Sequence, residues 1–269
     1  MRFVARQPRE GINVSETHPL AEAGVLIVGL TAIFVGIALV LIFLVEVSLY
    51  FVSAEKEAAI FASWMPEDLI TVSTEDERLE ATQALVNRLV VHWLDTPYNF
   101  RVVIEDSELA NAMALPGGLI VVTQGLLDQV ESENELAFVL GHELGHFRNR
   151  DQLRALGRVV ALSLFFTAVM GSDVAGIGIK AADLTLRGFS RKQESKADAF
   201  GLAIVNAEYG HVSEAWRLFE RWGIRDDSMS GFIAYFSTHP DTGDRIWKLQ
   251  VLAETNAWRL DGVSTPLRW

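Results

Sequence analysis

Five residues near the middle of the chain, His142-Glu143-Leu144-Gly145-His146, have the types and the spacing of a metal site on a helix. Residues four apart lie on one face of an α-helix, so His142 and His146 can bind the same metal ion. Glu143 lies one step around the helix, where its carboxylate can hold a water at that ion and act as general base. This pattern predicts a zinc ion that activates water.

The helix that must carry this motif has a recognisable start and an apolar face. Ser132 and Glu135 are spaced as a capping box, and an apolar stripe follows at helical spacing. Glu143 falls on that stripe with both histidines beside it, so three ionisable groups continue a face that we expect to be buried. Burying them is costly unless an opposite charge compensates, and a metal ion provides that charge.

A catalytic zinc ion takes three protein ligands and keeps one position for water, so the two histidines need a third partner. The best candidate is Glu194, which follows Ser190 and Gln193, themselves spaced as the capping box of another helix. Asp198 lies one turn further along, where its carboxylate can accept the second N–H of a ligand histidine. On these residues alone, two surface acids in a charged patch remain an alternative.

Four stretches extend the pattern over about 140 residues: NAMALPGGLIVVTQGLL (111–127), HELGHFRNRD (142–151), RKQESKADAFG (191–201) and STHPDTGDRI (237–246). In this order they resemble the zinc metallopeptidases that include the prenyl-protein (CAAX) endopeptidase and the HtpX-like membrane proteases. The resemblance supports Glu194 as the third ligand of one zinc ion per chain, with Asp198 behind a ligand histidine. It implies an α+β, mostly helical zincin-like (gluzincin) domain with a small antiparallel sheet.

The same resemblance implies roles for residues outside the motif. His239 matches a histidine near the metal, which can stabilise the developing oxyanion or act as a removable fourth zinc ligand. Arg245 matches an arginine that helps to hold this region. An edge strand binds the substrate in the family, and an exposed edge offers unpaired N–H and C=O groups to an extended peptide. The residues that match this strand are Asn111, Ala112, Met113 and Ala114.

An uncharged run of 22 residues, 24–45, predicts a membrane-spanning helix. At about 1.5 Å per residue it reaches roughly 33 Å, close to the ~30 Å hydrocarbon core of a bilayer. The alternatives are a buried core helix, which rarely lacks a polar face, and a signal peptide cleaved near Ala54, whose apolar part is usually shorter. Arginines at positions 2, 6 and 9 predict a cytoplasmic N-terminus and an extracytoplasmic (periplasmic or equivalent) catalytic domain.

The predicted organisation follows from these features. We expect an N-terminal tail (1–23), a transmembrane helix in contact with lipid (24–52), a connector (53–75) and a zinc metallopeptidase domain (76–269). Within the domain, a capping box at Thr74 and Glu77 predicts a helix to about Leu94. Strands are predicted over 100–105, 109–115 and 119–123, with helices after them. The uncharged stretch 159–172 is too short to cross a bilayer, so 159–182 is interpreted as an apolar helical hairpin that packs on the domain or touches the membrane.

Composition excludes several other functions. The net charge of −12 argues against nucleic acid as a partner, and the absence of cysteine excludes disulfides, thiol catalysis and thiolate metal sites.

Taken together, the motifs predict a membrane-anchored zinc endopeptidase that cleaves unfolded or membrane-associated proteins, as in protein quality control. A membrane-tethered chaperone-like module with a latent zinc site and a zinc hydrolase with a non-peptide substrate are the alternatives. The sequence predicts no oligomeric state.

Overall fold

A computed structural model describes residues 18–62, 77–170, 189–224, 235, 238, 239 and 244–269. Three predicted features therefore fall wholly or partly outside the described residues. They are the tail before residue 18, the connector from residue 63 with the helix cap at Thr74, and residues 171–182 of the expected hairpin.

The described elements are mostly helices. In chain order they are α1 (Pro19–Phe51), α2 (Ala54–Ala62), α3 (Glu77–Val90), β1 (Arg101–Glu105), β2 (Ala112–Leu115), β3 (Leu119–Thr123), α4 (Gln124–Leu127), α5 (Glu133–Asn149), α6 (Asp151–Met170), α7 (Arg191–Tyr209), α8 (Arg217–Ile224) and α9 (Arg245–Thr255). A small sheet among many helices confirms the predicted α+β, mostly helical class.

The three-stranded sheet has the order β1-β3-β2 and is mixed, whereas the sequence predicted an antiparallel sheet. β2 and β3 form an antiparallel hairpin in which Met113 lies opposite Val121, but β1 pairs with β3 in parallel, with Val103 opposite Val121. After β1 the chain skips the position next to β1 and forms β2 one position further out, and β3 then fills the gap between them. β3 is consequently the buried central strand, and β2 lies at the edge.

Helix α5 lies in the core, and its residues from Glu133 to Phe147 are all buried. It packs closely against α7, and its other neighbours include α3 and β2. Glycines bring the two backbones together: a Cβ atom on Gly145 would lie 2.7 Å from Cα of Ala197, and one on Gly201 would lie 2.7 Å from the backbone nitrogen of His142. Because no side chain fits there, α5 and α7 touch at the level of the predicted metal ligands.

The starts of these two helices differ in their capping. Ser190 and Gln193 form the complete capping box that the sequence predicted for α7. At α5, Ser132 accepts a hydrogen bond from the Glu135 amide as expected, but the Glu135 carboxylate accepts from the Glu131 amide instead. Only half of the predicted box therefore forms, because the Glu135 side chain also pairs with Arg221.

Helix α1 extends the predicted span at both ends and packs against α6. Among the described helices it is the one long and apolar enough to cross a membrane, and none of its residues is buried in the protein. α5 ends at Asn149 and is capped by Arg150, which adopts a left-handed backbone conformation, and α6 starts at the next residue. The polypeptide thus turns from the motif helix directly onto the apolar helix.

Candidate active site

Four side chains from three separate parts of the chain converge beside α5. One ligand atom from each of His142, His146, Glu194 and His239 lies within 4.8 Å of all the others, and all four residues are buried. Nε2 of His142 is 3.0 Å from Nε2 of His146 and 3.4 Å from Oε2 of Glu194. Nδ1 of His239 is 3.1 Å from the same His142 nitrogen.

A carboxylate lies behind each histidine of the motif. Nδ1 of His142 is 2.8 Å from Oδ1 of Asp198, and Nδ1 of His146 is 3.0 Å from Oδ2 of Asp151. Ionised carboxylates only accept hydrogen bonds, so both Nδ1 atoms carry a proton and the two Nε2 atoms face each other across the site. Two Nε2 lone pairs 3.0 Å apart would repel, so this contact requires a proton or a metal ion between them, and two imidazoles with a carboxylate are a donor set that zinc prefers.

Arg245 holds Asp198 in place. Its Nε and Nη2 atoms donate to the two oxygens of Asp198 at 2.8 and 2.6 Å, and its guanidinium lies 4.5 Å from the ring centroid of Phe219. Nη2 also lies 3.1 Å from Nδ1 of His142, but the closer Asp198 oxygen is the acceptor there. The sequence placed Asp198 and Arg245 near the metal, and the structure brings them together as a buried ion pair.

Sequence reasoning missed Asp151, the carboxylate behind His146. Asp151 is buried, and its second oxygen accepts a hydrogen bond from Nε2 of Gln193 at 2.7 Å. Because Gln193 belongs to the capping box of α7, this contact links His146 to the start of the helix that carries Glu194. The available signal was an acid five residues after the second histidine, directly after the turn at Arg150.

Burial and charge act in opposite directions on these groups. Burial alone would lower the pKa of His146, but hydrogen bonds to Asp151 and Glu194 outweigh it and raise that pKa to about 9. Burial would raise the pKa of Glu194, yet the positive charges of His142 and His239 hold it far below its usual range. The pKa of His142 is raised as well, so without a metal His142 and His146 hold protons more tightly than free imidazoles do, and a bound cation must displace them.

Glu143 is completely buried, and neither of its carboxylate oxygens accepts a hydrogen bond from the described residues. Its Oε1 atom lies 3.4 Å from Nε2 of His239. A buried carboxylate without donors is unusual and calls for a bound water or ion. Its position beside the ligand group fits a residue that handles a water molecule.

The predicted substrate strand borders this cluster. The carbonyl of Asn111 accepts from the Thr123 amide of β3, so alternation directs the backbone groups of Ala112 and Ala114 to the outer edge of β2. The Ala112 carbonyl lies 3.4 Å from Nε2 of His239. The Asn111 side chain accepts from the Ala112 amide and from the Thr238 hydroxyl, at 3.0 and 3.2 Å.

Comparison with known proteins adds independent support. The model of peptidase family M48 matches residues 75–253. The chain is 32% identical over 149 residues to the mitochondrial metalloendopeptidase OMA1 of Schizosaccharomyces pombe, which covers 52% of this chain and 42% of that protein. Human metalloendopeptidase OMA1 is 29% identical over 210 residues, covering 69% and 39%. Protease HtpX of Hahella chejuensis is 28% identical over 168 residues, covering 48% and 56%.

In each of these three alignments the matched part is less than two thirds of the relative's own length. The match to the family model, in contrast, takes in most of this chain, from the start of α3 almost to the end of α9. That range contains the two histidines in the HELGH motif, the Glu194 carboxylate that joins them, and the residues that hold all three. The chain is therefore a member of peptidase family M48, the metalloprotease family that the sequence motifs indicated.

Proposed function

We propose that the protein is a membrane-anchored zinc endopeptidase that cleaves unfolded or membrane-associated proteins. The observation that carries this proposal is the buried cluster of His142, His146 and Glu194 beside the Glu143 carboxylate, which accepts no hydrogen bond from the described residues. In this proposal the first three residues hold one zinc ion, which when bound acidifies water and polarises a peptide carbonyl.

Glu143 acts as the general base in the proposed reaction. Its two oxygens have no donors among the described residues, so they are available to a water molecule and to its proton. The carboxylate removes a proton from the attacking water and later delivers it to the leaving amine. Asp198 and Asp151 keep the ligand histidines in the tautomer that presents Nε2, and Arg245 fixes Asp198.

His239 is proposed to have two positions in the cycle. In the described conformation its Nδ1 atom belongs to the ligand group, which favours a fourth, removable ligand. Turned away from that group, its ring can donate a hydrogen bond to the oxyanion that develops on the substrate. The substrate backbone is proposed to pair with the outer edge of β2 along residues 111–114, because a strand edge recognises extended peptides.

The anchoring and the division of the chain are part of the same proposal. α1 is apolar over its whole central part and exposes its side chains, which suits contact with lipid. We place residues 24–52 in the membrane, 1–23 as a cytoplasmic tail, 53–75 as a connector and 76–269 as an extracytoplasmic peptidase domain.

The ligand position of His239 also favours a second candidate function, a chaperone-like module with a latent zinc site. In that case the three ligands and His239 would keep the ion closed to substrate, and the protein would hold partners without cutting them.

The test is cleavage of unfolded casein by detergent-purified protein, with zinc content measured on each variant. We expect zinc in the wild type and in Glu143→Gln, but cleavage only by the wild type, with a loss on the order of 10²–10⁴-fold or more. Glu254→Gln, on the exposed side of α9, is the matched control and should cleave normally. Substantial proteolysis by Glu143→Gln would contradict the role of that residue.

The same assay separates the two candidate functions. Zinc in the wild type without cleavage, followed by cleavage after His239→Ala, would identify a latent peptidase. Prevention of casein aggregation without cleavage in either protein would favour the chaperone-like module.

A further inference from the structure

Helix α6 is attached to α1 by charges at one end. Nε of Arg154 and Nη2 of Arg158 each lie 2.9 Å from a carboxylate oxygen of Glu46. Glu46 directly follows the uncharged run 24–45, so it marks the level at which α1 leaves the predicted hydrocarbon region. The two arginines thus place the first turns of α6 at the same level, where long cationic side chains reach water.

Beyond this point α6 runs antiparallel to α1 through apolar contacts. The Gly157 backbone lies against Val45, so closely that an added Cβ atom would be 2.6 Å from its Cγ1. Further along, the rings of Phe165 and Phe34 meet edge to face with centroids 5.7 Å apart. Residue numbers rise along α6 while they fall along α1, so α6 returns along the predicted span towards its N-terminal half.

The depth that α6 reaches follows from helix geometry. Phe34 precedes Glu46 by twelve residues, which is about 18 Å at 1.5 Å per residue. The midplane of a ~30 Å hydrocarbon core lies about 15 Å below its surface. Phe165, beside Phe34, would therefore lie near the middle of the bilayer. From Arg158 the helix continues to Met170, again about 18 Å, which is too short to cross.

Several large apolar side chains of α6 are exposed. Leu164 is 66% exposed and Val160 49%, and Phe166 adds a third large apolar side chain. No charged residue occurs between Arg158 and the end of α6. In water such a surface is unfavourable, but beside the exposed apolar side chains of α1 it continues a surface already suited to lipid.

We propose that α6 enters the bilayer alongside α1, ends near the midplane, and presents Val160, Leu164 and Phe166 to lipid acyl chains. This inference rests on the proposed anchoring by α1. By Phe189 the chain is again on the side of the membrane that holds the candidate metal site, because the Phe189 ring stacks on His146 with centroids 3.9 Å apart. The helix is a second membrane element that dips into one half of the bilayer from the side of the zinc site.

The absence of cysteine allows a direct test on the full chain with single spin labels. Leu164→Cys reports on α6, and Val160→Cys on a position one turn closer to the proposed surface. Val35→Cys, next to Phe34 and 52% exposed, is the control for α1. Val263→Cys is the aqueous control: it is 87% exposed and lies near Thr265, whose carbonyl binds the Glu133 amide at the far end of α5.

The labelled proteins are reconstituted into vesicles of phosphatidylcholine and phosphatidylglycerol, and collisions with oxygen and with a water-soluble nickel chelate are measured. Oxygen concentrates in the bilayer and the nickel chelate in water. We expect oxygen to dominate at Leu164 and Val35 to a similar degree, less strongly at Val160, and the nickel chelate to dominate at Val263.

Three outcomes would overturn the proposal. Nickel-dominated collisions at Leu164 with oxygen-dominated ones at Val35 would put α6 in water and leave the anchoring by α1 intact. Low collision rates with both reagents at Leu164 and Val160 would mean that protein covers this face, from a second copy or from residues 171–188. Nickel-dominated collisions at Val35 as well would remove the anchor and the inference together.

Discussion

The turn at Arg150 joins α5, which packs against α7, to α6, which packs against α1. The two helix pairs are held together by different chemistry. α5 and α7 touch through glycine, and they bury several charged groups whose partners are individually defined. α1 and α6 meet through apolar side chains over most of their length, with ion pairs confined to one end. The packing of α5 on α7 therefore depends on individual residues, whereas the packing of α1 on α6 depends on the overall apolar composition of the two surfaces.

This difference leads to an ordered set of expected effects. A change in the α5–α7 pair removes a partner from a buried charge or forces two backbones apart, and both are costly. A comparable change in the α1–α6 pair alters a surface that is apolar and partly exposed, where single substitutions matter less.

The largest effect is expected for Asp198→Ala. It leaves the buried Arg245 guanidinium without its main partner and frees Nδ1 of His142, so we expect a loss of about 3–5 kcal/mol in the free energy of unfolding. Denaturant titration and zinc analysis measure it. Asp261→Ala, which removes a 92% exposed carboxylate, should change stability by less than about 0.5 kcal/mol. Equal losses in the free energy of unfolding for the two substitutions would contradict the expected dependence of the α5–α7 pair on individual residues.

Gly145→Ala tests the backbone contact. The new methyl group would lie 2.7 Å from Cα of Ala197, and overpacking of this kind costs roughly 1–3 kcal/mol. We expect weaker zinc binding as well, because the helices that carry His146 and Glu194 must separate. In α1, Gly36→Ala has no atom within 4 Å of the added carbon and should leave both properties unchanged. Thermal unfolding and zinc content compare the two alanines.

Asp151→Asn tests the carboxylate that sequence reasoning missed. Loss of the charged acceptor behind His146 should weaken zinc binding about 10–100-fold, as measured by competition with a coloured chelator. Asp128→Asn changes a carboxylate that is 59% exposed and should leave zinc affinity unchanged. Unaltered affinity in Asp151→Asn would make the contact purely structural.

The pH dependence of zinc binding should follow the histidine protons. The pKa of His146 is raised to about 9, so protonated His146 stabilises the metal-free protein below its unfolded pKa, and this contribution disappears as the pH rises through about 9. Zinc must displace that proton, so its affinity should fall up to about tenfold for each pH unit below 9. Unfolding midpoints with and without zinc, at about pH 6.5 and 8.5, measure the difference. A zinc-induced shift no larger at the higher pH would contradict this assignment.

The smallest effect is expected for Glu46→Gln. Its ion pairs with Arg154 and Arg158 are about one third exposed, and such pairs contribute roughly 0–1 kcal/mol. Unfolding in detergent micelles should therefore shift only slightly. A loss above about 2 kcal/mol would show that this end of the α1–α6 pair depends on single residues, as α5–α7 does.

Much of the candidate metal-binding group could be predicted because its chemistry fixes both residue type and spacing. Two histidines four apart on a capped helix can only point to one side, and Glu194 follows a second helix cap at a fixed distance. Asp151 escaped because it lies beyond the end of α5. Its approach to His146 depends on the left-handed turn at Arg150, which helical spacing does not describe.

The fold was predictable to the level of its elements but not of their pairing. The strand patterns identified β1 and β3 closely, yet the parallel pairing of those strands depends on where the chain passes after Glu105. The apolar stretch after Arg158 predicted a helix but did not predict which helix it packs against. Its alignment with α1 is set by the Phe34–Phe165 contact and the Glu46 ion pairs, which connect residues more than 100 positions apart.

Arg150 links the metal-site motif helix to α1. Its guanidinium donates to the Leu49 and Val52 carbonyls at the end of α1, at 3.1 and 2.6 Å, and to the buried Glu57 carboxylate at 2.8 Å. The residue that terminates the motif helix therefore also terminates the apolar helix. A shortened chain that begins after Phe51 would lose the Leu49 acceptor and bare the α1-facing side of α6. The first helix is thus packed against the helix that follows the metal-site motif, and the end of the motif helix is hydrogen-bonded to it.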